Sequence, residues 1–320
     1  MATYDVADGN VDHDSVTIDV TGAKDASGNA QQDYTPESEF AIDTLNPTVL
    51  VNIVDLTLND ADPSSLVTFE FSEDVTGFTV GDLTPVGGSI SDFTAVDGNS
   101  YTATFTATDG IETTGSVTVG TGYTDVTGNT GTAGTDTVAI DRLNPTVLVN
   151  IVDLTLNDTD PSSLVTFEFS EDVTGFTVGD LTPVGGSISD FTAVDGNSYT
   201  ATFTATDGIE TTGSVTVGTG YTDVTGNTGT AGTDTVAIDR LNPTVTSVVA
   251  NDPLITDADT PGNDTFTVTV DFSEAMTTDG SADPTVVFAP AVASTLTFAS
   301  GAWTDADTYV ATYAVADGNV

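Results

Sequence analysis

The sequence has no cysteine, one histidine, and three basic residues (Lys24, Arg142 and Arg240) against 49 acidic ones, a formal charge of −46. Without cysteine, a secreted form must hold its fold without disulfides. So acidic a surface repels nucleic acid and anionic membranes and excludes both as partners. No stretch approaches the roughly 20 apolar residues of a membrane span, so membrane insertion is not expected, and no secretory signal is present. Catalytic equipment is also missing. His13 lies in VDHDS, a solvated acidic turn, with no Ser/His constellation and no phosphate loop. Glu73 and Asp74 form the one pair that resembles a glycosidase dyad, and an acid/base pair copied along an array is no active site. The chain is therefore not expected to be an enzyme.

What is present is repetition. Leu45–Arg142 and Leu143–Arg240 are the same 98 residues apart from one change, Ala61 to Thr159, and a third copy starts with LNPTV at Leu241 and diverges. Self-similarity at a fixed period marks an array of modules, where neighbours share one task. The opening ATYDVADGNV (2–11) and the closing ATYAVADGNV (311–320) both match ATFTATDGI at 103–111. The expected division is a C-terminal part of a module at 1–44, whole modules at 45–142 and 143–240, and an N-terminal part at 241–320. The chain is then expected to be a fragment of a longer array, with Met1 no native terminus. Two partial modules suggest a further partner: the strands missing from one chain's end, supplied head to tail by another copy.

Within a module the apolar residues alternate. Tyr101, Ala103, Phe105 and Ala107 share one face, with Thr102, Thr104, Thr106 and Thr108 on the other; Val67, Phe69 and Phe71 do the same. Period two with threonine on the wet face predicts half-buried antiparallel strands, and no helical period competes. Turn clusters at 59–65, 72–77, 85–88, 96–99, 108–110 and 124–129 separate about seven strands: 47–58, 65–72, 77–84, 89–95, 100–108, 115–121 and 135–141. That is the size and rhythm of an immunoglobulin-like β-sandwich, so the expected fold is all-β: tandem sandwiches in an elongated array, joined by RLNP linkers whose proline stiffens the passage. Trp303, the only tryptophan, is expected in the core.

Strands that run pole to pole sort the loops. SEDVTG, VDGN and TDVTGN gather at the proximal pole; NDADPSS, TDGIE and Asp141 gather at the distal pole and face the next module. Asp and Asn make turns in any protein, and VDGN is read as a plain hairpin turn. Crowding is the second consideration: Asp60, Asp62, Asp109, Glu112 and Asp141 share one end. Two carboxylates ~5 Å apart repel by about 3 kcal/mol at an effective dielectric near 20. Three basic residues are too few for salt bridges to relieve this, and calcium suits such oxygen-rich loops. The spacing D-x-x-G-N recurs at Asp125/Asn129, Asp223/Asn227 and Asp25/Asn29. FSE recurs at Glu73, Glu171 and Glu274, while Asp74 drifts to Ala275. The candidate ligands on these grounds are Asp60, Asp62, Glu73, Asp109, Asp125, Asn129 and Asp141, their copies Asp158, Asp160, Glu171, Asp207, Asp223 and Asn227, and Asp257 and Asp259 of the divergent copy. Arg142 and Arg240, beside the linker aspartates, sit awkwardly with a cation site.

The string DTLNPTV…DPSSLVTFEFSEDVTGFTVGDLT…DFTAVDGNSYTATFTAT…GSVTVGTGYTDVTGN resembles the bacterial Ig-like repeats of giant biofilm adhesins, the RTX-type surface proteins exported by type I secretion. The resemblance covers nearly all of 45–240 and, in diverged form, both ends. It implies an extracellular stalk on the bacterial cell surface that projects terminal binding domains and is rigidified by calcium between neighbouring repeats. It also places ligands on Asp43, Asp141 and Asp239 at the linkers and on the Asp60/Asp62 and Asp158/Asp160 loops. The family's GGxGxD calcium roll is absent from these residues. The alternative reading is a module that binds carbohydrate or a host surface. Against it, most aromatics fall in the inward register.

Overall fold

The structure, a computed structural model, describes residues 3–256, 259 and 265–316. The chain divides into two compact units, one of Met1–Leu154, Ser162–Thr204 and Gly213–Val236, the other of Thr155–Pro161, Ala205–Thr212 and Ala237–Val320. In the first unit a short antiparallel pair, β1 (Asp12–Thr17) and β2 (Ser38–Asp43), precedes the first repeat. Ile18, Val20, Tyr34 and Phe40 of this segment are exposed, so it builds little core.

The first repeat, 45–142, is built from β3 (Val49–Ile53), β4 (Thr57–Leu58), β5 (Ser64–Phe71), β6 (Val75–Thr76), β7 (Leu83–Val86), β8 (Gly88–Ala95), β9 (Ser100–Ala107), β10 (Glu112–Val119), β11 (Thr124–Asp125) and β12 (Gly134–Asp141). One sheet runs β3-β5-β9-β8 and the other β4-β12-β10-β7, with β6 and β11 as a two-residue ribbon. Every pair is antiparallel except β12 with β4. The alternation predicted from sequence is the burial pattern observed: β5 and β9 bury every second residue. Val67, Phe69, Phe105, Val117, Val119 and Tyr123 are fully enclosed between the sheets. Each such side chain contributes about 1.5–3 kcal/mol by leaving water.

Two predicted strands need correction. The run 47–58 does not form one strand: it bends at 54–56 and passes from the first sheet to the second, where Thr57 and Leu58 lie parallel to Ala139 and Ile140. Alternation survives the bend, so the pattern hides it. The carboxylate of Asp136 accepts the Ile53 N–H at 2.8 Å where the chain leaves the ladder. The run 77–84 contains one turn of 3-10 helix, Val80–Asp82, closed by a capping box between Thr79 and Asp82.

Aromatic packing closes the proximal end of the sandwich. Phe71, Phe78, Tyr101 and Tyr123 meet edge to face, with centroids 4.8 Å apart for Phe71–Tyr123 and 5.0 Å for Phe78–Tyr101. The Tyr123 hydroxyl donates to the Thr132 carbonyl at 2.7 Å. Its ring lies where a Cβ on Gly131 would stand, 2.2 Å away, so this position tolerates no side chain.

The second repeat shows the same sheet orders. In the second unit, 245–250, 265–272, 308–315 and 296–303 form a four-stranded sheet in that spatial order. Phe266, Val268, Val270, Tyr309, Ala311 and Tyr313 bury its inward face, and Val286, Phe288 and Val292 pack over it. Trp303 packs half-buried against this core and donates its indole N–H to Asp283 at 2.9 Å.

Candidate metal centre

The RLNP-type linker delivers an aspartate from the end of one module to the loops of the next. Asp43 closes β2, and its side chain meets Glu73, in the loop after β5, and Asp125, at the end of β11. One carboxylate oxygen from each lies within 4.8 Å of the others. Asp141, Glu171 and Asp223 repeat the arrangement between the first and second repeats, and Asp125 and Asp223 are each only 1% exposed.

The aspartate of the D-x-x-G-N loop is held by its own turn. Asp125 Oδ1 accepts the backbone N–H groups of Thr127 (2.9 Å), Gly128 (2.6 Å) and Asn129 (2.8 Å) and the Thr127 hydroxyl (3.0 Å). Burial pushes this carboxyl up, but the bonds from Asn129, Thr127 and Gly128 outweigh it and hold the group below the usual aspartate value. Asp223 behaves identically. The glutamate is the opposite case. Burial, then the charges of Asp125, Asp43 and Asp12, raise the Glu73 carboxyl above its ordinary value. For Glu171 the same role falls to burial, Asp223, Asp141 and Glu112. Neither glutamate carboxylate takes part in a hydrogen bond or ion pair with a described residue, whereas both aspartates of each trio are bonded.

Asp12 and Glu112 enter here as a fourth charge. Each lies directly across the ladder from the linker aspartate, Asp12 opposite Asp43 and Glu112 opposite Asp141. Glu112 also lines, with Asn59, Asp141 and Thr225, a groove of about 660 Å³ beside the second trio. Sequence reading had grouped Glu112 with the distal acids without making it a ligand, and it had passed over Asp12.

Asn129 and Asn227 are placed differently from the sequence expectation. The amide nitrogen, not the oxygen, faces the carboxylates: Asn227 Nδ2 lies 3.0 Å from the Asp141 carbonyl, 3.3 Å from Asp141 Oδ1 and 2.7 Å from Asp223 Oδ2. Asn129 makes the equivalent bonds to Asp43 and Asp125. Asp25 and Asn29 form the same loop with no trio around it, so the motif closes on itself before any cation is considered.

The distal acids also part company with the expected cluster. The Arg142 guanidinium reaches Asp60 at 3.1 Å and Asp109 at 3.3 Å, and Arg240 reaches Asp158 at 3.1 Å and Asp207 at 3.5 Å. The expectation that no salt bridge relieves the distal pole is thus corrected, because each arginine folds back onto its own repeat. Asp62 and Asp160 use their backbone N–H groups to bond Asn59 and Asn157 and lie in neither trio. Asp239 ends its strand beside Asn157, and Asp259 accepts from Thr256; Asp257 lies outside the described residues. Glu274, the third FSE glutamate, has a buried Oε1 with no hydrogen-bond partner among the described residues.

Three carboxylates this close repel by about 3 kcal/mol per pair at an effective dielectric near 20. A hard divalent cation fits the all-oxygen donor set, and Glu73 and Glu171 have free oxygens to offer it.

The profile of the bacterial Ig-like domain matches residues 43–142 and 141–240. No curated protein matches the sequence. Among solved structures, the Yersinia pseudotuberculosis adhesin InvE is 18% identical (TM-score 0.28; 60% of this chain, 58% of that one). Invasin, a bacterial integrin-binding protein, is 18% identical (TM-score 0.29; 85% and 54%). The I67–I69 fragment of titin is 9% identical (TM-score 0.34; 84% and 89%). The chain thus spans little more than half the length of the two bacterial structures, and scores this low do not bear on function.

Proposed function

Because this chain belongs to the bacterial Ig-like domain family, we propose that it is a spacer segment of a bacterial cell-surface adhesin, stiffened where its repeats meet by calcium. The observation that carries this reading is the paired trio: Asp43 with Glu73 and Asp125, and Asp141 with Glu171 and Asp223, each joining the end of one module to the loops of the next. A bound calcium would supply two positive charges between three negative ones. Asp43 and Asp141 tie the linker to the site, Asp125 and Asp223 are pre-oriented by their turns, and the unbonded Glu73 and Glu171 complete it. Threonine, glycine and short polar turns on a repeated core suit a module whose task is extension rather than recognition. Export by type I secretion, an RTX-type parent protein and a role in biofilm are the finer parts of the same proposal, with an extracellular location.

The test is a calcium titration of the whole 320-residue chain after chelation, followed by metal analysis. Two cations per chain are expected, falling to one in Asp125→Asn and in Asp223→Asn. A chain that binds none at millimolar calcium, or keeps both in each variant, sinks the proposal.

A further inference from the structure

The two trios are alike, but the hydrogen bonds between modules are not. Between the first and second repeats, Asn59 Nδ2 donates to the Thr225 carbonyl at 2.7 Å and the Asp60 N–H donates to Asn227 Oδ1 at 2.9 Å. Both bonds cross from one repeat to the next. The second engages the Asn227 Oδ1, the amide atom left free when the NH2 faces Asp141 and Asp223. Asn227 is fully buried. Its counterpart Asn129 is only partly buried, and its Oδ1 has no partner among the described residues.

Behind this contact stands Arg142. Its side chain is 15% exposed and bonds Asp60 Oδ1 (3.1 Å), Asp109 (3.3 Å) and the Ala107 carbonyl (2.8 Å). Its backbone is tied on both sides, N–H to the Ile111 carbonyl at 2.8 Å and carbonyl to the Gly110 N–H at 3.1 Å. At the other linker the same position is Thr44, which exchanges bonds with the Val11 backbone only.

We propose that Arg142, Asp60 and Asn227, with Asn59, form a docking latch that keeps the junction at Asp141 closed without metal. The electrostatics explain why the arginine is needed. The loop at 59–62 must approach Asp141, Glu171 and Asp223, and two of the distal acids would oppose that approach. Arg142 neutralises Asp60 and Asp109 and pins the loop at its guanidinium. Only then can the Asp60 N–H, rather than its charge, be what the next repeat meets. The two bonds between repeats are neutral and of ordinary net strength, one part-buried and one exposed, and the charge-assisted bonds behind them are those of Arg142 to Asp60 and Asp109. The latch does not depend on the calcium reading.

Because the chain has no cysteine, labels can be placed at will in the full protein. Spin labels at Thr17→Cys and Ser89→Cys span the first junction, and at Ser89→Cys and Ser187→Cys the second. In excess chelator the second pair is expected to give a narrow distance distribution; the first pair, read with and without calcium, reports on the metal proposal separately. Arg142→Met should raise the undocked population of the second junction about tenfold. Asn59→Asp, which keeps the oxygen that accepts the Ala61 and Asp62 N–H groups but removes the Nδ2 donor to Thr225, should raise it in the same direction and guards against misfolding of the arginine variant. A second junction that is broad in chelator, or one left narrow by both substitutions, overturns the latch. Calcium that leaves the first pair's distribution unchanged counts against the metal proposal alone.

Discussion

The junctions at Asp43 and Asp141 present the same three carboxylates in the same compact arrangement, yet one leans on a threonine and the other on an arginine. Thr44 ties the linker to one backbone segment. Arg142 gathers two aspartates and a carbonyl, and releases a loop to touch the following repeat. On the latch proposal, the arginine's pairing with Asp60 and Asp109 lets the loop at 59–62 meet the following repeat through its N–H groups and not its charges.

The comparison can be broken at several points. The largest effect is expected from removing the pre-oriented aspartate. Asp125→Asn loses the charge that five turn donors address, at about 2 kcal/mol, together with one cation. In chelator Asp223→Asn should leave the second junction partly closed by the latch; denaturant unfolding and the spin-label distances report the two effects. Glu73→Gln and Glu171→Gln come next and should change sign with the metal. Without calcium each relieves a repelled, half-buried charge and stabilises by about 0.5 kcal/mol, modest because water screens it; with calcium each lowers the melting temperature. Melting curves in chelator and in calcium that move the same way would refute this.

A pH series sharpens the same point. The raised glutamates bind protons more readily in the folded chain than in the unfolded one, whose value is near 4.5. Metal-free stability should therefore rise as pH falls from neutrality toward 4.5 and be lost as pH climbs through the folded value. Asp125 and Asp223, held low, act in the opposite sense only below their ordinary value of 3.8. Calcium affinity should follow the reverse course and weaken on acidification, which calorimetry at pH 5 and pH 7 would check. The smallest effect is expected from Ala61→Thr, which copies the second repeat into the first. Ala61 and Thr159 donate the same 2.9 Å bond to Asn59 and Asn157, so stability should move by less than about 0.5 kcal/mol.

The strands were legible because burial alternates wherever threonine faces water, as along Ser100–Ala107. The bend at 54–56 was not, since Val54, Asp55 and Leu56 keep the alternation while the backbone changes sheets. The 3-10 turn was missed although Thr79 and Asp82 spell a capping box, because the flanking apolar residues read as one run. Glu73 and Asp125 stand in motifs that recur in a diverged copy, whereas Asp43 was reached only through the family resemblance. The role of Arg142 was not: its partners Asp60 and Asp109 lie 82 and 33 residues away, and only the fold brings them together. Nor does a D-x-x-G-N string tell which end of the asparagine amide faces the carboxylates; in all three loops the NH2 turns to the loop's own aspartate.

The parallel pairing of Thr57–Leu58 with Ala139–Ile140 puts the first and last segments of a repeat side by side. Tension applied at the two termini of that repeat pulls these segments past each other, so their hydrogen bonds are loaded together in shear instead of opening one at a time. The bend that the alternation concealed therefore gives a pulled module two lines of resistance in series, the β3–β5 ladder in one sheet and then the parallel pair in the other.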